Sequence, residues 1–312
     1  MFYTGFAGCP STFGDAAYYP VGLWSFAADG KGSGTWTNLN KTADKAFTTQ
    51  RRPFAGLSAS GNGKGYYLGG LMGNNSVEIN AQIGLPGLLT YDYASKTLTN
   101  TSVVGISTDG INQKGGLLYV PNFGPKGIVI SIGGNQFGKG RKDADNLLSM
   151  DTVQILDTDT GKWYEQTVGG VIPERRKEFC IAGAASSNRT YEILLFAGWD
   201  GRLGDVSVQY DQAYVLSLPS FQWFKADYKA LHPRHGLTCH HVGGGQVLTI
   251  GGVDTSQSGP KSLYNDVFNT EDPFPQGLNV FDLNKMAFRK NYESQPGSYA
   301  MNVDIQSWYN NQ

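Results

Sequence analysis

The sequence predicts an all-β fold, a β-propeller, and three observations support that prediction. A glycine pair recurs at intervals of about 54 to 65 residues, the spacing that one propeller blade occupies. Between the recurrences, apolar and polar residues alternate, with many β-branched and aromatic residues, as in strands. The chain also holds 42 glycines among 312 residues, which indicates many tight turns. The recurring pairs are Gly69-Gly70, Gly133-Gly134, a looser Ala197-Gly198 and Gly251-Gly252.

Four complete blades are predicted, each with an inner strand, a second strand that ends at the glycine pair, a long loop and an outer hairpin. Each outer hairpin carries two large side chains seven residues apart, and Trp163, Trp223 and Phe288 are expected to fill the space between neighbouring sheets. These pairs are Tyr91 and Leu98, Leu156 and Trp163, Leu216 and Trp223, and Phe281 and Phe288. We call residues 52–104, 114–169, 172–227 and 231–292 the first to fourth blades.

The two ends of the chain depart from this repeat. Residues 1–50 are interpreted as a partial blade that has second, third and fourth strands but no inner strand. Residues 293–312 indicate a capped short helix beginning near Asn302, rather than a strand that closes the ring. We therefore expect one propeller domain over residues 1–312, with five to six blades in the ring of an N-terminally truncated chain.

Several motifs resemble the kelch repeat, namely the glycine pairs, the turn Asp157-Thr-Asp-Thr-Gly161 and the tryptophan Trp163. Longer stretches resemble one subgroup, the fungal cell-surface kelch-repeat proteins, which are similar to the central domain of galactose oxidase. The stretches are residues 61–70, 120–124, 214–219, 223–228 and 232–234. The resemblance implies an extracellular or cell-surface, membrane-anchored parent protein with a signal peptide, one more N-terminal repeat and a membrane-spanning helix.

Composition excludes two classes of partner. The net charge is −1 and the 25 basic residues are scattered, so no electrostatic footprint for nucleic acid is present. The sequence contains no run of 18 apolar residues, so we expect no membrane contact from this stretch of the chain.

Three cysteines are too few for a disulfide framework. Cys180 and Cys239 nevertheless occupy matching positions in neighbouring blades, so a bridge requires only that their Cα atoms approach within about 7 Å. Two buried thiols are the alternative. Four sequons for N-glycosylation begin at Asn40, Asn74, Asn100 and Asn188, a number close to what chance gives.

All four histidines fall within ten residues, and His240 and His241 are weak candidates for metal ligands. In a strand these two side chains point to opposite faces, so no metal and no other cofactor is predicted. A copper-radical oxidase resembling galactose oxidase would need histidines from different blades, whereas here all belong to one repeat. A structural role near the channel mouth is therefore favoured for the histidines.

The loops between second and third strands are long, whereas the other turns are short. In a propeller these loops emerge on one face, which is where repeat scaffolds usually bind. Aromatic and arginine residues on such loops suit recognition of a protein or a glycan. The alternative is that the aromatic residues pin their loops to the blades. The candidate contact residues are Phe137, Arg141, Trp199, Asp200, Arg202 and Phe274.

Arginines also recur where three inner strands begin, at Arg52, Arg175 and Arg234, close to prolines. One interpretation is structural, with each guanidinium pairing with loop carbonyls or an acidic neighbour at the channel mouth. The other is a basic ring that binds an anionic ligand.

The function predicted from these observations is non-enzymatic recognition of a protein or a cell-wall glycan through the loop-rich face. One alternative is an oxidase or lyase-type enzyme with a metal or substrate site at the propeller axis. A second alternative is a cytosolic kelch scaffold, against which a disulfide or a glycan would argue.

Overall fold

The computed structural model describes residues 2–4, 23–39, 53–72, 83–103, 111–137, 146–202, 206–254 and 272–312. Its contacts divide the chain into two compact units, residues 1–113 and 114–312, which are described in turn. Strands dominate both units, and within the described residues there are four blades of four antiparallel strands, one of which is extended by a fifth, parallel strand. The all-β propeller fold expected from the sequence is confirmed. No described helix is long and apolar enough to cross a membrane.

The first unit contains a three-stranded and a four-stranded antiparallel sheet. The three-stranded sheet is formed by β1 (Phe2–Thr4), β2 (Leu23–Ala28) and β3 (Gly34–Asn38), in that order, and these are the strands expected of the partial blade. The first blade is formed by β4 (Leu57–Gly61), β5 (Lys64–Leu68), β8 (Gly87–Asp92) and β9 (Thr97–Ser102). Between them, β6 (Leu71–Met72) pairs with β7 (Ile83–Gly84), and β10 (Ile111–Gln113) ends the unit.

The second unit contains the other three blades, each with its strands in sequence order. The second blade is formed by β11 (Gly116–Val120), β12 (Ile128–Ile132), β14 (Thr152–Asp157) and β15 (Trp163–Thr167), with β13 (Asn135–Phe137) in its long loop. The third blade is formed by β17 (Cys180–Ala185), β18 (Tyr191–Phe196), β19 (Ala213–Leu218) and β20 (Gln222–Lys225), with β16 (Gly169–Gly170) parallel to β20. The fourth blade is formed by β21 (Thr238–His241), β22 (Gln246–Ile250), β23 (Leu278–Asp282) and β24 (Ala287–Arg289), and a 3-10 turn (Pro275–Gly277) precedes β23.

The seven-residue offset of the outer hairpins reflects direct pairing across the two strands. Leu216 lies opposite Trp223, and the other three predicted pairs are opposed in the same way. Trp223 is only 1% exposed and packs with residues of the second and third blades. Phe288 packs edge-on against Phe281 and against Phe196 of the preceding blade. The expected role of filling the space between blades is therefore confirmed for Trp223 and for Phe288.

The glycine pairs join successive blades. The second residue of a pair donates its backbone N–H to the next blade, from Gly134 to Arg176 O (3.1 Å) and from Gly198 to Arg234 O (2.9 Å). Gly198 has a φ of +104°, and a Cβ there would lie 3.0 Å from Lys177 O. Only glycine fits a position that combines this backbone with so close an approach.

A disulfide and a helix complete the second unit. Cys180 of β17 and Cys239 of β21 form a disulfide with a Cα–Cα distance of 5.3 Å, so the inner strands of the third and fourth blades are covalently joined. The helix expected near the C-terminus is confirmed as α1 (Val303–Asn310), and the Asn302 side chain caps it by accepting a hydrogen bond from the Asp304 N–H (2.9 Å). Its Ile305 is fully buried in the core shared by the third and fourth blades.

Candidate functional site

The candidate site lies at one end of the blades of the second unit. We call it the loop end, because the second strands end there at the glycine pairs and the inner strands begin there. Two blade connections pass this end: residues 168–179, which lead into β17, and residues 226–237, which lead into β21. Backbone bridges join Lys177 to Trp199 and His235 to Val253, one residue after each glycine pair. Lys177 and His235 therefore occupy equivalent positions in their blades.

This register corrects the alignment of the recurring arginines. Counting back one residue from Lys177 and His235 makes Arg176 the equivalent of Arg234, and both are buried. Arg175, the residue singled out by the sequence, is exposed. Arg52 lies outside the described residues. Cys180 and Cys239, expected at matching positions, are likewise one residue out of step, because Cys180 pairs with Phe196 at the end of β18 and Cys239 pairs with Thr249, one residue before the end of β22.

Both buried arginines already have structural partners. The Arg176 guanidinium donates to Glu174 Oε2 (2.7 Å) and to Ala197 O (3.1 Å), and it lies 3.8 Å above the Tyr210 ring. The guanidinium therefore has a carbonyl, a carboxylate and an aromatic ring face as partners within the protein.

Arg234 repeats the arrangement one blade further on. Its Nη1 donates to Asp272 Oδ1 (3.1 Å) and to Gly251 O (3.2 Å), and its guanidinium lies 4.4 Å from the centre of the Phe274 ring. These are the loop carbonyl and acidic neighbour that the structural interpretation of the arginines requires.

Glu178 is the centre of a second charged cluster, which the sequence did not reveal. Its Oε1 lies 2.7 Å from Lys114 Nζ, and its Oε2 lies 2.7 Å from His235 Nδ1. The Trp199 indole N–H also donates to Oε2 (3.1 Å), and the Trp199 ring stacks on His235 with ring centres 4.0 Å apart. One carboxylate thus connects residues at the starts of the inner strands of three successive blades.

The cluster keeps Glu178 ionised. Burial alone would raise the pKa of this carboxyl, but the hydrogen bond with His235 and the charge of Lys114 bring the pKa down to about 2. Since an ionised carboxylate can only accept, His235 Nδ1 carries the hydrogen of their shared bond. Lys114, Glu178 and Gly236 occupy equivalent positions in their blades, and all three have a φ between 54° and 71°. The three residue types differ, so the sequence alone does not mark this position.

The two weak candidates for metal ligands lie on a strand rather than on a blade connection. His240 and His241 are exposed residues of β21, and their side chains alternate across the strand. The part of the chain that the structure describes contains no group of three or more histidine, cysteine, aspartate or glutamate residues arranged to hold a metal ion.

The structure brings only some of the candidate contact residues on the loops close to one another. Trp199 is buried against His235, Asp200 is buried, and Arg202 is half exposed and pairs with Asp200 Oδ2. Phe274 lies between Arg234 and His232. Phe137 is the last residue of β13, and Arg141 lies outside the described residues.

Five exposed aliphatic side chains lie on the connections around the third blade, and we call them the aliphatic rim. Two precede β17, two lie between β18 and β19, and one lies between β20 and β21. Exposed Arg175 and Arg202 lie on two of the same connections. The rim consists of Val171, Ile172, Val206, Val208 and Leu231, with exposures between 41% and 59%.

Comparison with known proteins shows what the chain is similar to. No protein-family model matches the chain. A "Kelch repeat-containing protein" of Arthroderma benhamiae is 23% identical over 280 residues, which cover 80% of this chain. The chain spans 38% of the length of that relative.

Proposed function

Because the chain is a kelch-repeat β-propeller, we propose that it is a non-catalytic recognition module that binds a protein partner through the loop end of its second unit. A kelch-repeat propeller suggests a protein-interaction module, and the place of binding on this chain is what the proposal adds.

The aliphatic rim is the observation that carries the proposal. Val206 and Leu231 are 58% and 59% exposed, and the three other rim residues are also exposed. Exposed aliphatic side chains on successive connections of one blade favour an interaction site where they form a contiguous patch, whereas single ones are common on any surface. The arginines beside them are typical of the outer part of a protein interface.

The aromatic residues favour a protein over a cell-wall glycan as the partner. Trp199 has one ring face against His235, and its indole N–H is bonded to Glu178. Phe274 packs against Arg234 and Phe288. These two candidates are therefore occupied in holding the loops to the blades, and the exposed large apolar side chains on the connections around the third blade are aliphatic in the part of the chain that the structure describes.

We place this binding outside the cell, in agreement with the resemblance to cell-surface proteins. The Cys180–Cys239 disulfide supports the location because disulfides form and persist in oxidising compartments. The same observation argues against a cytosolic scaffold.

The proposal is tested with labelled protein on the secreted and cell-wall fractions of a fungal culture. Val208→Asp/Leu231→Asp places charges in the rim, and Val303→Asp is a matched control because Val303 is 70% exposed on α1. We expect saturable, protease-sensitive binding that weakens at least tenfold in the rim variant and is unchanged in the control. Binding that survives protease, or equal binding by all three proteins, would contradict the proposal.

A further inference from the structure

We propose that Asn100, on the outermost strand of the first blade, carries an N-linked glycan. The sequon is Asn100-Thr101-Ser102, at the end of β9. This inference rests on the extracellular location proposed above, and it concerns a different part of the chain from the aliphatic rim.

The structure leaves this sequon open. Within the described residues β9 pairs with β8 alone, so its other edge has no partner strand. Asn100, Thr101 and Ser102 are all exposed, and the only apolar side chain of the strand, Leu98, is half buried. In the described part of the chain the Asn100 amide nitrogen makes no hydrogen bond that a sugar linkage would break.

The Asn100 side chain also lies over the smallest residue of the facing strand. It stands above Gly87 of β8, and a Cβ at Gly87 would lie 2.5 Å from Asn100 Oδ1. Glycine on the facing strand therefore gives the asparagine its room. A glycan here would cover an unpaired polar strand edge, which in other proteins is a site of association between chains.

The second described sequon provides an internal comparison. Asn188 is exposed at the turn between β17 and β18, but its Nδ2 donates to Gln306 Oε1 of α1 (2.8 Å). Thr190, the last residue of that sequon, is buried, and its hydroxyl is hydrogen bonded to Ser186 (2.7 Å). A glycan on Asn188 would compete with the contact that the turn makes with α1, so we expect lower occupancy there than at Asn100.

Site-specific mass spectrometry tests the inference. The full chain is secreted from yeast behind an added secretion signal, digested with trypsin, and deglycosylated with peptide N-glycosidase in ¹⁸O-labelled water, which marks each occupied asparagine. We expect label on most copies of Asn100 and a smaller fraction on Asn188. Ser102→Ala should abolish the label at Asn100, and the matched Ser102→Thr variant should keep it.

Disulfide mapping of the same sample separates the two proposals. A formed Cys180–Cys239 bridge together with unlabelled Asn100 would overturn the glycan and leave the location standing. Free thiols at both cysteines in the secreted protein would count against the location, whatever the state of Asn100. Label at Asn100 that persists in Ser102→Ala would also overturn the inference, because the sequon would not be its cause.

Discussion

Glu178 Oε2 and His235 Nδ1 lie 2.7 Å apart, although 57 residues separate them in the sequence. Glu178 precedes β17 of the third blade and His235 precedes β21 of the fourth, so their hydrogen bond crosses between blades. Lys114, two residues before β11 of the second blade, pairs with the other carboxylate oxygen. The loop end of the second unit is therefore held by one ionised side chain in addition to its backbone hydrogen bonds.

Replacing that carboxylate should destabilise the second unit. Glu178→Gln keeps the shape of the side chain and one acceptor oxygen, but it removes the negative charge opposite Lys114 and turns an NH2 group towards the donors Lys114, His235 and Trp199. We therefore expect a loss of about 2 kcal/mol in the free energy of unfolding. Urea denaturation measures it. The control is Glu165→Gln on β15, which removes the charge from an exposed carboxylate that accepts a hydrogen bond from Gln154, and the expected change is under about 0.5 kcal/mol.

The same variant should respond differently to acid. The pKa of Glu178 is depressed from 4.5 to about 2, so its contribution is fully present above pH 4.5 and is lost as the pH falls through about 2. We therefore expect the stability gap between the wild-type protein and Glu178→Gln to be widest above pH 5 and to close towards pH 2. A gap that is independent of pH would contradict the ionised state assigned to Glu178.

Glu192 should show the opposite dependence. It is fully buried on β18, burial raises the pKa of its carboxyl, and its Oε1 accepts a hydrogen bond from Ser217 (3.1 Å). A raised pKa means that the native state favours the protonated acid, so this contribution is present below pH 4.5 and is lost as the pH rises through the folded-state pKa. Glu192→Gln should therefore gain stability relative to the wild-type protein between pH 4 and pH 8, as measured by thermal unfolding.

The glycine pairs offer a test of backbone geometry. Gly198→Ala places a Cβ 3.0 Å from Lys177 O at a φ of +104°, and we expect a loss of about 2 kcal/mol or more. Gly251→Ala is the control, because Gly251 has open space around it and its equivalent Ala197 already adopts a φ of 67°. Equal costs at the two positions in urea denaturation would show that the close approach to Lys177 does not matter.

The disulfide should contribute stability by closing a long loop. Cys180 and Cys239 are 59 residues apart, so the chain-entropy model gives about 4 kcal/mol for their bridge. We expect the double variant Cys180→Ala/Cys239→Ala to unfold at lower urea and to be indifferent to reducing agent. Cys9→Ala serves as the control and should keep the sensitivity of the wild-type protein to reduction.

The local parts of this architecture could be predicted from the sequence. The offset from Leu216 to Trp223 is a property of one hairpin, so spacing alone predicted that they pair, and the cap at Asn302 likewise depends on neighbouring residues. The Glu178 cluster could not be predicted, because each of its contacts joins different blades. The equivalence of Arg176, rather than Arg175, with Arg234 could not be predicted either, because it depends on the backbone bridges at Lys177 and His235.

The most direct test of the central claim is to map where a bound partner contacts the chain, by cross-linking and mass spectrometry of the complex recovered from fungal cell-wall protein. The account predicts cross-links and protection from hydrogen exchange at residues 171–175, 202, 206–208 and 229–232, on the connections that carry the aliphatic rim. Contacts confined to the opposite turns of the blades, around Asn188 and α1, would contradict it.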